Sequence, residues 1–353
     1  MKRSGWRWIG ISLAILSGPF GGDARAAAPA SGAEIRAYRI VARWKIGGEG
    51  FWDYLTIDPA RHRLFVGRST RVQAIDVRSG KVVGEIPDTP GIHGVALAAD
   101  LGRGFTSNGR DSSVTVFDLN SLATLRRIPI DAQGPDAILY DAVSKRVFTF
   151  NGRSRDATAI DAVSGGVIGN LALGGRPEAA VADGRGKIFV NLEDSGAVVR
   201  FDARSLRIEG RWPLAPGTGP SGLAMDREHR RLFSACDNER MIVLDADSGR
   251  MIAAPPIGKG VDGAAFDASE GLVLSSNGEG TLSVIHEDSP ERFHLLGHVP
   301  TQRGARTLAL DPRTHRIYLA TASFGEPPVP TPEHPHPRPP MIPGSFVILV
   351  LER

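Results

Sequence analysis

This sequence has a single cysteine, Cys236, so no disulfide can form within the chain. That also excludes clustered Cys/His zinc spacing and the C-x-x-C-H attachment of c-type haem. Long apolar runs are absent: even Trp8 to Leu16 falls well short of the ~20 residues that a membrane-spanning helix needs. The local signatures of common catalysts are missing too, with no G-x-S-x-G elbow, no Ser/His/Asp order and no phosphate-binding loop. A catalytic set gathered from distant segments would leave no such motif. No long helical period runs through the chain.

What is present begins with an export signal. Lys2, Arg3 and Arg7 precede the apolar run Trp8–Leu16, Gly18-Pro19 breaks it, and Ala24-Arg25-Ala26 fits an A-x-A cleavage pattern. Residues 1–26 read as a signal peptide and 27–35 as a linker, which places the mature chain in the periplasm or outside the cell. Lys2-Arg3 is not a twin-arginine pair, so the general export route is expected. Cleavage removes four of 42 basic and one of 39 acidic residues, leaving 38 of each. The mature chain is therefore neutral, which argues against non-specific nucleic-acid binding.

A repeat fills the rest. A short alternating strand is followed by a turn and then by Arg/Lys-apolar-Phe or a close variant. The instances are Arg63-Leu64-Phe65, Arg103-Gly104-Phe105, Arg146-Val147-Phe148, Lys187-Ile188-Phe189, Arg231-Leu232-Phe233, Gly271-Leu272-Val273 and Arg316-Ile317-Tyr318, spaced 40, 43, 41, 44, 40 and 45 residues apart. A third strand ends in aspartate at Asp76, Asp118, Asp161, Asp202 and Asp245, and a Ser-Gly-type turn leads into a fourth. Four short strands every forty-odd residues predict the blades of an all-β, seven-bladed β-propeller over 36–353. The last unit has Phe346–Leu351 as its third strand and nothing for a fourth. An orphan strand near the N-terminus, with Tyr38, Ile40, Ala42, Trp44 and Ile46 on one face, is expected to complete it and close the ring. Beyond residue 26 only Trp44, Trp52 and Trp212 remain, too few for a quinone-cofactor propeller docked by one tryptophan per blade.

Units such as Thr115-Val116-Phe117-Asp118 with the turn after them resemble the YVTN-type, WD-like repeats of bacterial exported propellers, most nearly the YncE-like family, over roughly 36–353. The resemblance implies fold and compartment. Such propellers are mostly binding or scaffold modules; some are reported to touch DNA, and related folds include lactonases.

In a propeller the first strand of each blade lines the channel, and the loops entering it share one face with the second-to-third-strand loops. Placed by that rule, Asp53, His93, Asp136, Glu178, Ser221, Asp262 and Arg306 stand just before the inner strands as a polar ring at the channel mouth, with Asn108, Asn151 and Asn277 as neighbours. Four carboxylates at close range call for a proton or a cation. Asp53, His93, Asp136, Glu178 and Asp262 are accordingly the candidate ligands of a divalent metal: Ca²⁺ for the oxygens, a transition metal if His93 joins. Arg306 would pair with an anionic group. A structural role, satisfying loop amides at a wet mouth, accounts for any single member equally well. The opposite face receives ordinary turns such as Asp58-Pro59-Ala60-Arg61. Segment 323–345 interrupts the last blade with nine prolines between Pro327 and Pro343, which predicts extended polyproline chain on the mouth face. Within it, His334 and His336 read as solvated, and Cys236 reads as a small buried residue.

The function expected from these features is an exported binding or scaffold propeller, monomeric, that holds a small ligand, a metal or a segment of an exported protein at the mouth. The alternatives are a metal-dependent hydrolase similar to propeller lactonases, in which Asp136 or Glu178 acts as base, and nucleic-acid binding by family analogy.

Overall fold

The computed structural model describes residues 38–329, 331 and 339–353. The signal-peptide and linker segments lie outside the described residues, as do His334 and His336. Among the described residues there are seven four-stranded antiparallel sheets and one turn of 3₁₀ helix, Ala99–Leu101. No helix there is long and apolar enough to cross a membrane. The sheets form the ring of a seven-bladed propeller. Inner strands of adjacent blades touch all the way round, the seventh meeting the first.

The inner strands are Trp52–Asp58, Ile92–Ala98, Pro135–Asp141, Pro177–Ala182, Pro220–Asp226, Val261–Asp267 and Thr307–Leu310. Small residues on them permit close approach. At Gly222 a Cβ would lie 2.6 Å from the Ala264 nitrogen of the next blade.

One blade cannot bury both of its faces alone, and the core is accordingly divided among the seams. Seven hydrophobic clusters occupy the seven blade-to-blade interfaces. The repeat's aromatic anchors six of them, five by phenylalanine and the seventh-to-first by Tyr318: Phe65 meets Phe117 at 5.7 Å and Phe148 meets Phe201 at 5.5 Å. Burying such a ring contributes about 1.5–3 kcal/mol, so the period in the sequence is a period of seam anchors.

The repeat's arginine has a separate task. Arg63 donates to Leu119 O and Asn120 O, Arg103 to Ala162 O and Val163 O, and Arg146 to Ala203 O and Arg204 O. Each clasps the outer turn of the following blade. Arg231 does the same to Pro290 O of the sixth blade.

The N-terminal strand closes the ring. Arg39–Lys45 pairs antiparallel with Val347–Glu352, giving the seventh blade its outermost strand. Its apolar residues do not share one face: a bulge between Ile40 and Ala42 splits them, so that Tyr38 and Ile40 pack into the sixth-to-seventh cluster and Ala42, Trp44 and Ile46 into the seventh-to-first. Arg68, fully buried, then pins the connection to the first blade. It donates to Gly47 O, Glu49 O and Gly50 O and lies 3.7 Å over the Phe346 ring.

Candidate functional site

The polar ring sits inside the inner strands rather than just before them. Asp53, His93, Asp136, Glu178, Ser221 and Asp262 are each the second residue of their strand. Only Arg306 precedes its strand, which starts at Thr307. In all six cases the pairing with the second strand skips at that point, as between Trp52 and Leu55 or between Pro135 and Ile138. A β-bulge re-aims a side chain, and here the same bulge in six blades turns six polar groups toward the mouth.

Three of them converge. His93 Nδ1 lies 2.6 Å from Asp53 Oδ2 and 3.4 Å from Asp136 Oδ1, and one ligand atom from each residue falls within 4.8 Å of the others. Burial alone would lower the His93 imidazole. The hydrogen bond to Asp53 and the charges of Asp136, Asp53 and Glu178 outweigh it and lift it to about 9. At neutral pH the imidazolium is thus a cation held among carboxylates.

Glu178 and Asp262 stand apart with their own partners. Arg176 reaches Glu178 at 3.2 Å and Glu193 at 2.9 Å. Asp262 accepts from Ser221 Oγ at 2.9 Å and meets Arg306 Nε at 3.1 Å. Arg306 therefore answers a carboxylate of the chain itself. Burial pushes the carboxyls of Asp136, Glu178 and Asp262 upward. The neighbouring acids add to the rise at Glu178, while Arg306 and Ser221 moderate it at Asp262.

Below the ring a cavity of about 200 Å³ is lined by Tyr54, Thr56, Gly94, Ala137, Ala179 and Asp262 among others. Tyr54 fills a position where the neighbouring inner strands carry Gly94, Ala137 or Ala179. Burial, then Asp136, Glu178, Asp53 and Asp262, hold its phenol well above the ordinary value. Its place next to Asp53 on an inner strand is the sequence signal that could have picked it out. Arg176 carries no such signal, since it is an exposed arginine before a proline.

The asparagines lie elsewhere. Asn108, Asn151 and Asn277 have no exposed surface. Each ends a second strand and points into its own hairpin. Asn108 Nδ2 donates to Ser113 and Thr115 while its Oδ1 accepts from Thr106, and Asn151 and Asn277 repeat the pattern. Cys236 is buried, and burial lifts its thiol to about 12, so it offers no thiolate. The base of the proline-rich insertion stands at the mouth's edge. Phe324 bridges to Met341, Gly325 N donates to Pro340 O, and the Phe324 ring is 6.1 Å from that of Trp52.

The opposite face holds more than turns. Two further groups of ligating side chains occur there, Asp226 with His229 and Glu287, and His286 with Asp288 and His294. The outer strands of the sixth blade, Thr281–Ser289 and Arg292–Pro300, run to nine residues where the other blades have seven or fewer. The 45-residue spacing after the sixth repeat and the missing aspartate at the end of its third strand were the sequence signals.

No family model matches the chain, and no curated protein does. Solved structures do. A chain of Kuenenia stuttgartiensis hydrazine synthase is similar with a TM-score of 0.67 at 15% identity, over 83% of this chain and 96% of that one. U3-55K is similar with a TM-score of 0.72 at 12% identity, over 88% and 98%. The WD40 repeats of RRP9 have a TM-score of 0.72 at 12% identity, over 89% and 97%. At these identities the likeness shows the fold, and a β-propeller scaffold suits general binding roles.

Proposed function

We propose that the chain is an exported, non-catalytic binding propeller of the YncE-like kind, and that its channel mouth takes a divalent metal ion. The observation that carries this is the convergence of His93 Nδ1, Asp53 and Asp136. A zinc-class ion bound at ~2.0–2.2 Å sets its ligand atoms ~3.4 Å apart, and the separations of 2.6 and 3.4 Å about His93 Nδ1 need little adjustment to meet that. Glu178 and Asp262 stand farther round the mouth, each beside an arginine of its own. The ion would replace the proton on His93, so uptake releases a proton and strengthens as pH rises toward 9. The repeat pattern supports the family, and the basic and apolar start of the sequence supports export.

The test is metal content of the mature chain, purified without chelator or histidine tag, beside an Asp136→Asn/Glu178→Gln double variant. About one equivalent of metal, lost in the variant, supports the reading. Neither chain taking up Ca²⁺, Zn²⁺ or Cu²⁺ on reconstitution would remove it and leave the mouth as a recognition surface for an exported partner.

A catalytic reading rests on Glu178, whose raised carboxyl is suited to proton transfer. Hydrolysis of lactones or esters that stops on chelation and returns with metal would make the mouth an active site. Nucleic-acid binding is disfavoured, because an acidic mouth repels phosphate.

A further inference from the structure

In the first five blades the third strand ends on an aspartate that collects the amides of the turn after it. Asp202 accepts from the nitrogens of Arg204 and Ser205 and from Ser205 Oγ; Asp76, Asp118, Asp161 and Asp245 do likewise. The second strand offers each aspartate a basic residue directly opposite, as Arg231 faces Asp245 at 2.8 Å. In the sixth blade the corresponding pair is Leu272 and His286, one residue later than the repeat pattern suggests, and Glu287 takes the next position, where Val77, Leu119, Ala162, Ala203 and Ala246 of the other blades are buried; like theirs, its N–H donates across the hairpin, to Gly271 O. The strand does not turn there but continues to Ser289. Glu287 therefore puts a carboxylate where the first five blades bury an apolar side chain.

Its surroundings offer that carboxylate no hydrogen-bond donor. The Glu287 side chain is only 4% exposed, and neither carboxylate oxygen has a hydrogen-bond partner. Arg231 stands nearby, but its guanidinium is committed to Pro290 O, His229 O, Asp245 and Glu291. What faces Glu287 Oε1 is His229 Nδ1, at 3.5 Å, and that nitrogen is itself 2.7 Å from Asp226 Oδ2. A buried carboxylate without a partner is costly. Two carboxylates and an imidazole that come together there form a ligand set.

We infer that Asp226, His229 and Glu287 bind a divalent transition-metal ion of the zinc class at the seam of the fifth and sixth blades, on the face opposite the mouth. Separations of 2.7 and 3.5 Å about His229 Nδ1 bracket the ~3.4 Å edge of a tetrahedral site. Two carboxylates neutralise the ion's charge. His229, with 46% of its side chain exposed, marks the open side where water completes the shell. The second trio, on the other face of the same hairpin, makes a useful contrast. Asp288 there is already held by His286 and His294, each at 2.8 Å, and by Arg292, so no orphaned group calls for an ion.

The experiment is a calorimetric Zn²⁺ titration of the chelator-stripped mature chain carrying Asp136→Asn/Glu178→Gln. With the mouth neutralised, the result does not depend on whether the mouth binds metal. One equivalent of Zn²⁺ is expected, with affinity falling at least tenfold when Glu287→Gln is added and staying put when His286→Ala/His294→Ala is added instead. An X-ray absorption spectrum of the bound zinc should show one imidazole. Glu287→Gln keeps the side chain's shape, and a melting curve of each variant confirms folding; His229→Ala provides a second removal of a ligand. Absence of uptake, uptake indifferent to Glu287→Gln, or uptake lost with His286 and His294 would each overturn the site.

Discussion

At the outer turns of the first five blades a carboxylate meets backbone amides and hydroxyls; at the channel mouth, Asp136 and Glu178 are largely buried, with one cationic neighbour each, His93 and Arg176. The same functional group responds in opposite directions. Arg78 and then Ser79 hold Asp76 down near 2, and the amide and hydroxyl of Ser121, Ser164 and Ser205 hold Asp118, Asp161 and Asp202 low. Burial drives Asp136, Glu178 and Asp262 up. Glu287, one residue beyond the place of a turn aspartate, behaves like a mouth acid, raised to about 7 chiefly by burial and then by Asp226. The difference teaches that donated hydrogens, and not position in the repeat, decide whether a carboxylate is a structural brace or a group awaiting a partner.

The sharpest way to break the comparison is at the mouth. Asp136→Asn/Glu178→Gln should weaken metal binding there roughly a hundredfold, about 2.7 kcal/mol, read by calorimetry, while the melting temperature without metal rises at pH 8. A fall in melting temperature would show that these acids brace the fold after all.

Glu287→Gln should raise the stability of chelator-treated protein by about 2 kcal/mol at pH 8 and change little at pH 4. The sign follows from the raised value. The acid form favours the fold fully below about 4.5, and that contribution is lost as pH rises through about 7. Denaturant melts at both pH values check it.

Asp202→Ala should go the other way, costing about 1 kcal/mol at neutral pH through the lost turn cap, with Asp202→Asn recovering most of it because the amide oxygen still accepts. A depressed carboxyl stabilises above its unfolded value and loses that as pH falls through the folded one, so the defect should fade in acid.

The smallest effect is spectroscopic. The His93 ring should titrate near 9 by NMR, and Asp53→Asn should bring it back toward 6.5. A ring already titrating near 6.5 in the unaltered chain would mean that the Asp53–His93–Asp136 contact is not formed.

Much of this was written locally. The seven-fold strand-and-turn period, the Arg and Phe that open each second strand, the capping aspartates and the orphan strand around Trp44 could all be read because alternation and turn chemistry belong to contiguous residues. The membership of the polar ring was legible for the same reason, since it recurs at one point of each unit. The tertiary structure decided which of its members touch. Asp53, His93 and Asp136 meet across blades forty residues apart because each sits on a bulge, while Asn108, Asn151 and Asn277, just as polar and just as periodic, turn inward and satisfy themselves. It also decided that Glu287 has no partner, which is a fact about the Asp226–His229 loop of another blade. Pattern fixes a fold through short-range sterics and burial. The chemistry of a carboxylate depends on the charges and hydrogens within a few ångströms of it, and in a ring of blades those come from far along the chain.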